Sequence, residues 1–492
     1  MLSKEGVLRL LFPGSTAGSA VNTTMRGSSA LYSGVTCDSR LVKSNFIFVA
    51  LNGSSTDGST YIDEAQKKGA TLVVSEQTTE GQLEVGNARL AYSLLCEAFA
   101  RYPSSRMKHI AITGTNGKTT CTYLIHHLLQ QAKCTAARFG TQFHHIADCE
   151  IPSSHTTPSS DLLQNLFVQC NEHNVKVTCL EVSSHGLDQH RLGSLKFDVA
   201  IFTNLTQDHL DYHETMENYY LSKKTLFTDH LKEAGLALIN IDCSYGQRLL
   251  QELKNYPFLI KTYGYHPEAS IQIFQDDPHN SELFTLCLNE QDISVLSPLI
   301  GNYNYRNITA SLAACSFILN RSLEESLTLL KKFSGVPGRL QRVQEWMRGQ
   351  VFIDYAHTPD ALESTLKTLR PYCLGKLHLV FGCGGDRDRS KRALMARAAE
   401  MFADVIFLTD DNPRQESPEQ IIEDTVLGFS KEADIKVIHN RRESIEQALK
   451  ALVHNDVLLI AGKGSEDYQI YGTKKLPFSD FSSVLNAQKA GL

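Results

Sequence analysis

Short apolar runs alternate with amphipathic stretches along most of this chain, and the runs differ in kind from region to region. Ile110-Ala111-Ile112, Val177 to Val182 and Val199 to Thr203 are rich in β-branched residues and bounded by polar loops. They predict parallel strands buried on both faces, since a half-exposed strand would alternate apolar with polar positions. A helical pattern from Ala88 to about Tyr102 precedes the first run, and another, from Lys118 to about Leu129, follows it. Before residue 86 the strands are short, as in Phe46 to Leu51, with Gly/Ser/Thr-rich turns between them. Residues 268 to 298 do alternate, which predicts a small antiparallel segment. Beyond the turn-rich Gly335-Val336-Pro337-Gly338, strands at Val351 to Ile353, Leu377 to Phe381, Val405 to Leu408 and Val457 to Ala461 are separated by helices. Those helices begin near Pro359, Lys391 and Pro418, and the succession predicts a doubly wound parallel sheet.

At 492 residues the chain exceeds one ordinary core, and about three domains is the natural division. The expected fold class is α/β: a small N-terminal α/β domain over 1–86, a central P-loop parallel-sheet domain over 87–336, and a C-terminal Rossmann-like domain over 337–492. A formal charge of −6 argues against a nucleic-acid partner held by a basic surface. Twelve scattered cysteines without a CxxC pair point to a reducing cytosol. His126-His127 and His144-His145 lack zinc-ligand spacing and read as structural or surface pairs. Lys4, Glu5 and Arg9 interrupt any secretory signal, and no run approaches the roughly 18 apolar residues that cross a bilayer. A soluble cytoplasmic protein with no membrane partner is expected.

The most informative residues are Thr113-Gly114-Thr115-Asn116-Gly117-Lys118-Thr119-Thr120. They sit between a strand and a helix, where backbone N–H groups at a helix N-terminus cradle phosphates. Lys118 supplies a cation to the β- and γ-phosphates, and the Thr119 hydroxyl reaches Mg²⁺. The general pattern wants glycine at 112, where this chain has Ile112. Further carboxylates and histidines leave neighbouring strand ends at Glu181 and His209; both suit a Mg²⁺ site, Glu181 more readily as an oxygen donor, or else local backbone hydrogen bonding. In the last region the polar clusters Gly382 to Arg387, Asp410 to Arg414 and Gly462 to Glu466 follow three successive strands, where open parallel sheets bind ligands.

The tight form Gly-Thr-Asn-Gly-Lys-Thr-Thr resembles the loop of the Mur ligase and folylpolyglutamate synthetase superfamily. Glu181-Val182-Ser183-Ser184-His185-Gly186-Leu187, Thr203 to His213, and Asn218 to Lys223 resemble the Mur ligases that add the third residue of the peptidoglycan stem. From about residue 30 onward the motifs occur in the family order. The resemblance implies an ATP-dependent amide ligase: the γ-phosphoryl of ATP passes to a carboxylate, an amine attacks the acyl phosphate, and phosphate leaves. It implies two Mg²⁺ ions, held by Thr119, Glu181, His209 and a carbamate formed from CO₂ on Lys223, with Lys118, Lys223, Glu181 and His209 catalytic. Register favours Lys223 over Lys224. Asn304 and Asn307 would contact adenine, although Asn304 also suits a helix N-cap. Arg339, Asp354 and His357 would reach ATP from the third domain, together with Gly114, Thr115, Asn116, Gly117, Lys118, Thr119 and Thr120 of the loop. Such crossing implies domain closure and expulsion of water.

For the UDP-N-acetylmuramoyl dipeptide, the resemblance points to Cys37, Ser39, Ser54, Ser55 and Thr56 at the UDP end, and to Thr156, Thr157, Ser183, Gln189 and Arg191 at the muramoyl-peptide end. His155 stands where the family commonly has asparagine. For the amine, Asp411-Asn412-Pro413-Arg414 is the form associated with meso-diaminopimelate, whose distal carboxylate Arg414 can grip in bidentate fashion beside Asn412. Arg387, Gly462 and Glu466 complete that set, while Ser465 replaces the family's usual histidine. The same tetrapeptide also reads as an Asx-type turn before a helix. A lysine-adding ligase, a folylpolyglutamate synthetase-like ligase, and a nucleotide switch or scaffold without synthetic activity are the competing readings; a monomer is expected.

Overall fold

A computed structural model describes residues 1–13, 31–53, 57–77, 82–275, 283–331, 333–343, 346 and 348–491. Ser54, Ser55 and Thr56 lie outside the described residues.

Three sheets organise the described residues. The first is parallel and runs in sequence order through Gly34–Thr36, Phe46–Val49, Ala70–Ser75 and Gln82–Glu84. Ile47, Val49, Leu72, Val74 and Leu83 form one buried side, on which the helix Ala88–Phe99 lays Ala88, Ala91, Tyr92 and Leu95. Asn87 caps that helix, its side chain accepting from Leu90 N. This helix therefore completes the N-terminal core although it follows residue 86 in the chain.

The second sheet has eleven strands. At its centre lies the phosphate-loop strand Lys108–Thr113, flanked by Val177–Glu181 and Phe197–Phe202, all parallel. These strands carry no alternation because both faces are covered. Lys118–Gln131 and Asn302–Leu319 pack on one side, Ser160–Glu172, Met216–Thr228 and Ser244–Leu253 on the other. The predicted alternating segment is present as Ile271–Phe274, Leu283–Leu288 and Gln291–Leu296, paired antiparallel at one edge. The other edge is a hairpin, Phe143–Ile146 with Cys149–Pro152, joined to Ala136–Phe139.

The third sheet has the order Gln341–Val343, Gln350–Asp354, Val457–Ala461, Leu377–Phe381, Val405–Leu408, Ile435–Val437, parallel except for the first strand. Helices Pro359–Leu369, Ser390–Phe402 and Pro418–Val426 cover one face, Arg441–Ala451 and Asp480–Lys489 the other. It is doubly wound, as the strand–helix succession predicts. No helix among the described residues is long and apolar enough to cross a membrane.

Candidate active site

The turn after Lys108–Thr113 is shaped by two glycines in positive φ, Gly114 at 142° and Gly117 at 90°. A Cβ on Gly114 would overlap Thr203 Oγ1, and one on Gly117 would come within 2.5 Å of Asn307 Oδ1. The loop is thus held against the next strand end and against Asn302–Leu319 at distances only glycine permits. Its backbone is fixed further by Thr115 N donating to Asn204 O (2.9 Å) and Asn116 N donating to Asn204 Oδ1 (2.9 Å). Lys118 Nζ donates to the carbonyls of Gly114 (2.9 Å) and Thr115 (2.8 Å).

This loop forms the floor of a cavity of about 410 Å³ between the second and third sheets. Asn116, Gly117, Lys118, Thr119 and Thr120 line it, with Thr156, Glu181, His209, Asn304 and Asn307 from the same unit and Arg339, Asp354 and His357 from the other. Residues predicted from three separate stretches are therefore brought to one space. Arg339 crosses the gap: its Nη2 donates to Thr119 Oγ1 (3.3 Å) while its guanidinium lies 4.5 Å from the Tyr355 ring centroid. Asp360 crosses as well, accepting from Asn116 Nδ2 and Thr206 Oγ1, both at 3.3 Å. Asp354 accepts from the amides of Leu340 (2.6 Å) and Ala356 (2.8 Å), which fixes the Arg339 strand to the cavity wall. Asn304 Nδ2 donates to Ile300 O (2.8 Å) and Asn307 Nδ2 to Asn304 Oδ1 (3.1 Å), so the two amides are chained rather than independent.

Glu181 sits at the rear, 1% exposed. Its Oε2 accepts from Thr119 Oγ1 and Thr141 Oγ1 (2.9 Å each) and its Oε1 from Thr141 N (3.1 Å). Among the described residues it is in no ion pair. A buried carboxylate surrounded by hydroxyl oxygens is a donor set for a hard cation, and one carboxylate plus substrate phosphates is the usual Mg²⁺ arrangement. Thr119 and Glu181 therefore fit the expected ion. His209, in the left-handed region at φ 54°, lines the same cavity 3.5 Å from Asp208. Enclosure lowers the His209 pKa against the pull of Asp208; Asp208 itself is held below the ordinary carboxylate range, mainly by His209, despite its burial. A neutral His209 retains a lone pair for a metal.

Lys223 is 1% exposed, and its Nζ donates to Gly114 O (3.0 Å), the same oxygen that Lys118 uses. Burial first, and the neighbouring Lys118 second, push its pKa well below that of an ordinary lysine; burial also lowers Lys118. Lys224 instead pairs with Glu252 at 2.8 Å, partly exposed. Of the two lysines, Lys223 is the buried one beside the phosphate loop.

Behind Glu181, Thr156, Thr157, Ser183, Gln189 and Arg191 join the site through backbone and side-chain contacts. Thr157 Oγ1 donates to Glu181 O and meets Ser183 Oγ (3.0 Å each). Arg191 donates to Thr157 O (2.6 Å) and twice to Gln189 Oε1 (2.8 and 3.2 Å). Thr141 Oγ1 donates to Thr156 Oγ1 at 3.2 Å. Cys37 and Ser39 lie apart, in the first unit: Ser39 Oγ donates to Glu64 (3.0 Å), and burial raises the Cys37 thiol.

The amino-acid loops converge beside the cavity. Asn412 is 2% exposed; its Nδ2 donates to Glu466 Oε2 (3.0 Å), and its Oδ1 accepts from Lys463 Nζ (3.1 Å) and Ile470 N (3.0 Å). Arg414, at φ 55°, donates through Nη1 to Gly385 O (2.7 Å), and its backbone N–H reaches Ile470 O (3.0 Å). Arg387 is exposed, with its Cγ 3.9 Å from where a Cβ on Gly384 would stand. Among the described residues Asp411 Oδ2 is buried without a hydrogen-bond partner, and it would lie 2.8 Å from a Cβ on Gly462. Ser465 meets the connector with its backbone: a Cβ on Gly338 would overlap Ser465 N, and one on Gly464 would stand 2.8 Å from Gly338 O and 2.9 Å from Tyr355 Cβ.

Sequence reasoning passed over Thr141, Asp360 and the pair Asp242–Arg306, whose ion pair lines the same cavity. Gly140-Thr141, directly after a strand, was a usable local signal; the others carry none.

Models of the Mur ligase family, catalytic domain, of the Mur ligase middle domain and of the Mur ligase, glutamate ligase domain match residues 31–94, 112–315 and 338–464. A Clostridium tetani protein named UDP-N-acetylmuramoyl-L-alanyl-D-glutamate–2,6-diaminopimelate ligase is 39% identical over 463 residues, 90% of this chain and 92% of that protein. A solved structure of a ligase of that name superimposes with a TM-score of 0.67 at 34% identity, covering 94% of this chain and 95% of that one. Mycobacterium tuberculosis folylpolyglutamate synthase shares the fold, with a TM-score of 0.64 at 17% identity over 82% of this chain and 94% of that one.

Proposed function

This chain belongs to the Mur ligase family, and from that premise we propose that it is the ATP-dependent ligase joining 2,6-diaminopimelate to UDP-N-acetylmuramoyl-L-alanyl-D-glutamate. The observation that carries the reading is the meeting of two sites at two consecutive residues. Arg339 touches the phosphate-loop Thr119, while Gly338 is packed on the loop of Gly464 and Ser465.

The N–H groups of the phosphate loop and Lys118 hold the ATP phosphates, with Arg339 adding charge from the opposite wall. Arg191, braced by Gln189 and Thr157, is available to orient the acid of the dipeptide substrate. When that carboxylate attacks the γ-phosphorus, the bond to the β-γ bridging oxygen breaks, ADP leaves, and an acyl phosphate forms. The amine then attacks the carbonyl carbon, loses a proton, and expels phosphate to leave the amide. Thr119 and Glu181 would hold Mg²⁺, which would supply charge neutralisation between the two anions. His209 and Lys223 serve a second ion in this reading. The environment that disfavours a charged Lys223 suits the reaction of its neutral amine with CO₂, which gives a carbamate and a proton. Closure of the cavity by Arg339 and Asp360 shields the acyl phosphate from water.

Arg414 Nη1 donates to Gly385 O and Asn412 O, and its Nη2 and Nε are the donors this reading assigns to the distal carboxylate of diaminopimelate. Asn412 braces Lys463 and Glu466, and so shapes the pocket for the ammonium from behind. The three sheets are taken as three domains working in the cytoplasm on small molecules, as a monomer. ADP release with UDP-muramoyl dipeptide and a panel of amines tests the assignment. Diaminopimelate is expected to be strongly preferred. Equal rates with lysine would refute the role of Arg414, and no turnover with any amine would favour a nucleotide switch.

A further inference from the structure

We propose that Tyr219 is a positioning residue, a strut that ties Lys223 to the phosphate loop; the inference rests on the ligase reading above. Tyr219 and Lys223 are one turn apart on Met216–Thr228, both 1% exposed. At this i, i+4 spacing they share a face. The Lys223 Nζ lies 4.5 Å from the Tyr219 ring centroid, and the Tyr219 hydroxyl lies 3.2 Å from Thr115 Oγ1. Thr115 is itself clamped, its hydroxyl donating to Thr206 O (3.2 Å) and accepting from Thr206 N (3.0 Å). Because that proton serves Thr206, the tyrosine is the donor to Thr115. Lys223 meanwhile donates to Gly114 O. Tyr219 and Lys223 thus grip consecutive residues of the loop, and the four residues close a ring. His213 packs beside the Tyr219 ring, its centroid 5.2 Å away and its plane tilted at 33°.

Phenylalanine would serve as well as tyrosine if the position were only packing, since the hydroxyl is the one polar atom of the side chain. The ring and the hydroxyl have separable tasks: the ring is the platform on which Lys223 lies, and the hydroxyl sets the loop that holds the triphosphate. Removing them one at a time gives different kinetic signatures.

Steady-state ADP release, ATP titration calorimetry and thermal melting of the full chain test this. Tyr219→Phe is expected to raise the ATP KM and Kd roughly tenfold, the loss of one buried hydrogen bond, with kcat within about twofold and an unchanged melting temperature. Tyr219→Leu is expected to lower kcat as well, and to make turnover depend on added bicarbonate as Lys223 loses its platform. An unchanged ATP Kd in Tyr219→Phe would overturn the strut. So would changes in both variants that merely track a fall in melting temperature, without bicarbonate dependence. Because the Kd is read without an amine, failure of the diaminopimelate assignment would leave wild type inactive yet still show the Kd difference.

Discussion

The nucleotide cleft and the amino-acid corner are both built at carboxyl ends of parallel strands, but their polar groups are committed differently. In the cleft, backbone and glycines fix the shape, and Lys118, Glu181 and Arg339 line the cavity, held chiefly by loop carbonyls, hydroxyls and a backbone amide. In the corner, the side chains hold one another: Asn412 bridges Lys463 and Glu466, and Arg414 leans on Gly385 O. A mutation in the cleft should therefore remove chemistry while sparing the fold. One in the corner should mix lost recognition with lost structure.

The strongest test is Lys118→Ala. Removing the cation that meets developing charge is expected to lower kcat by about 10²–10³, with unchanged denaturant stability. Lys223→Ala should reduce turnover less steeply, and a short carboxylate such as formate should restore part of it; unchanged kcat would take Lys223 out of the site. Arg414→Ala is expected to raise the diaminopimelate KM roughly a hundredfold and the ATP KM by less than about threefold. Comparable rises in both would erase the contrast between the regions.

Asn412→Ala probes the structural side of the corner. It leaves Lys463 Nζ and Glu466 without their shared amide, and chemical denaturation should register a loss of about 1–3 kcal/mol alongside a higher diaminopimelate KM. The smallest effect concerns acid. Burial lowers His109 and His144 of the central unit from 6.5 to about 4 each. Both states are neutral above 6.5; below it the unfolded chain binds protons that the folded one refuses, so stability is lost as pH falls from 6.5 towards 4. His144→Phe should flatten that decline by at most about 1.4 kcal/mol per pH unit, read from melting curves between those limits.

What could be read from the chain beforehand follows from where each signal resides. The phosphate loop was legible because strand, glycines and helix are contiguous, and the doubly wound sheet because its strands are uniformly apolar. Ile435–Val437 escaped notice, being three residues at a sheet edge with Lys436 in its middle. The helix Ala88–Phe99 was found, but not the sheet it packs on, since an apolar stripe does not name its partner. Asp360 and Tyr219 have meaning only through residues far away in sequence, Asn116 and Thr115, which no local pattern links. Asn412 was expected beside the distal carboxylate, and its amide is spent on Lys463 and Glu466, a distinction visible only in coordinates.

The packing at Gly338 has a consequence for how the two substrates speak to each other. Its backbone φ of 66° and the absence of space for one carbon beside Ser465 hold the segment of Arg339 against the loop of Gly464 and Ser465. In the ligase reading, an event that draws Arg339 onto the triphosphate would be felt by that loop. By thermodynamic linkage, whatever factor nucleotide adds to amine affinity, amine returns to nucleotide. In the ligase reading, Gly338 is the contact through which such coupling would pass.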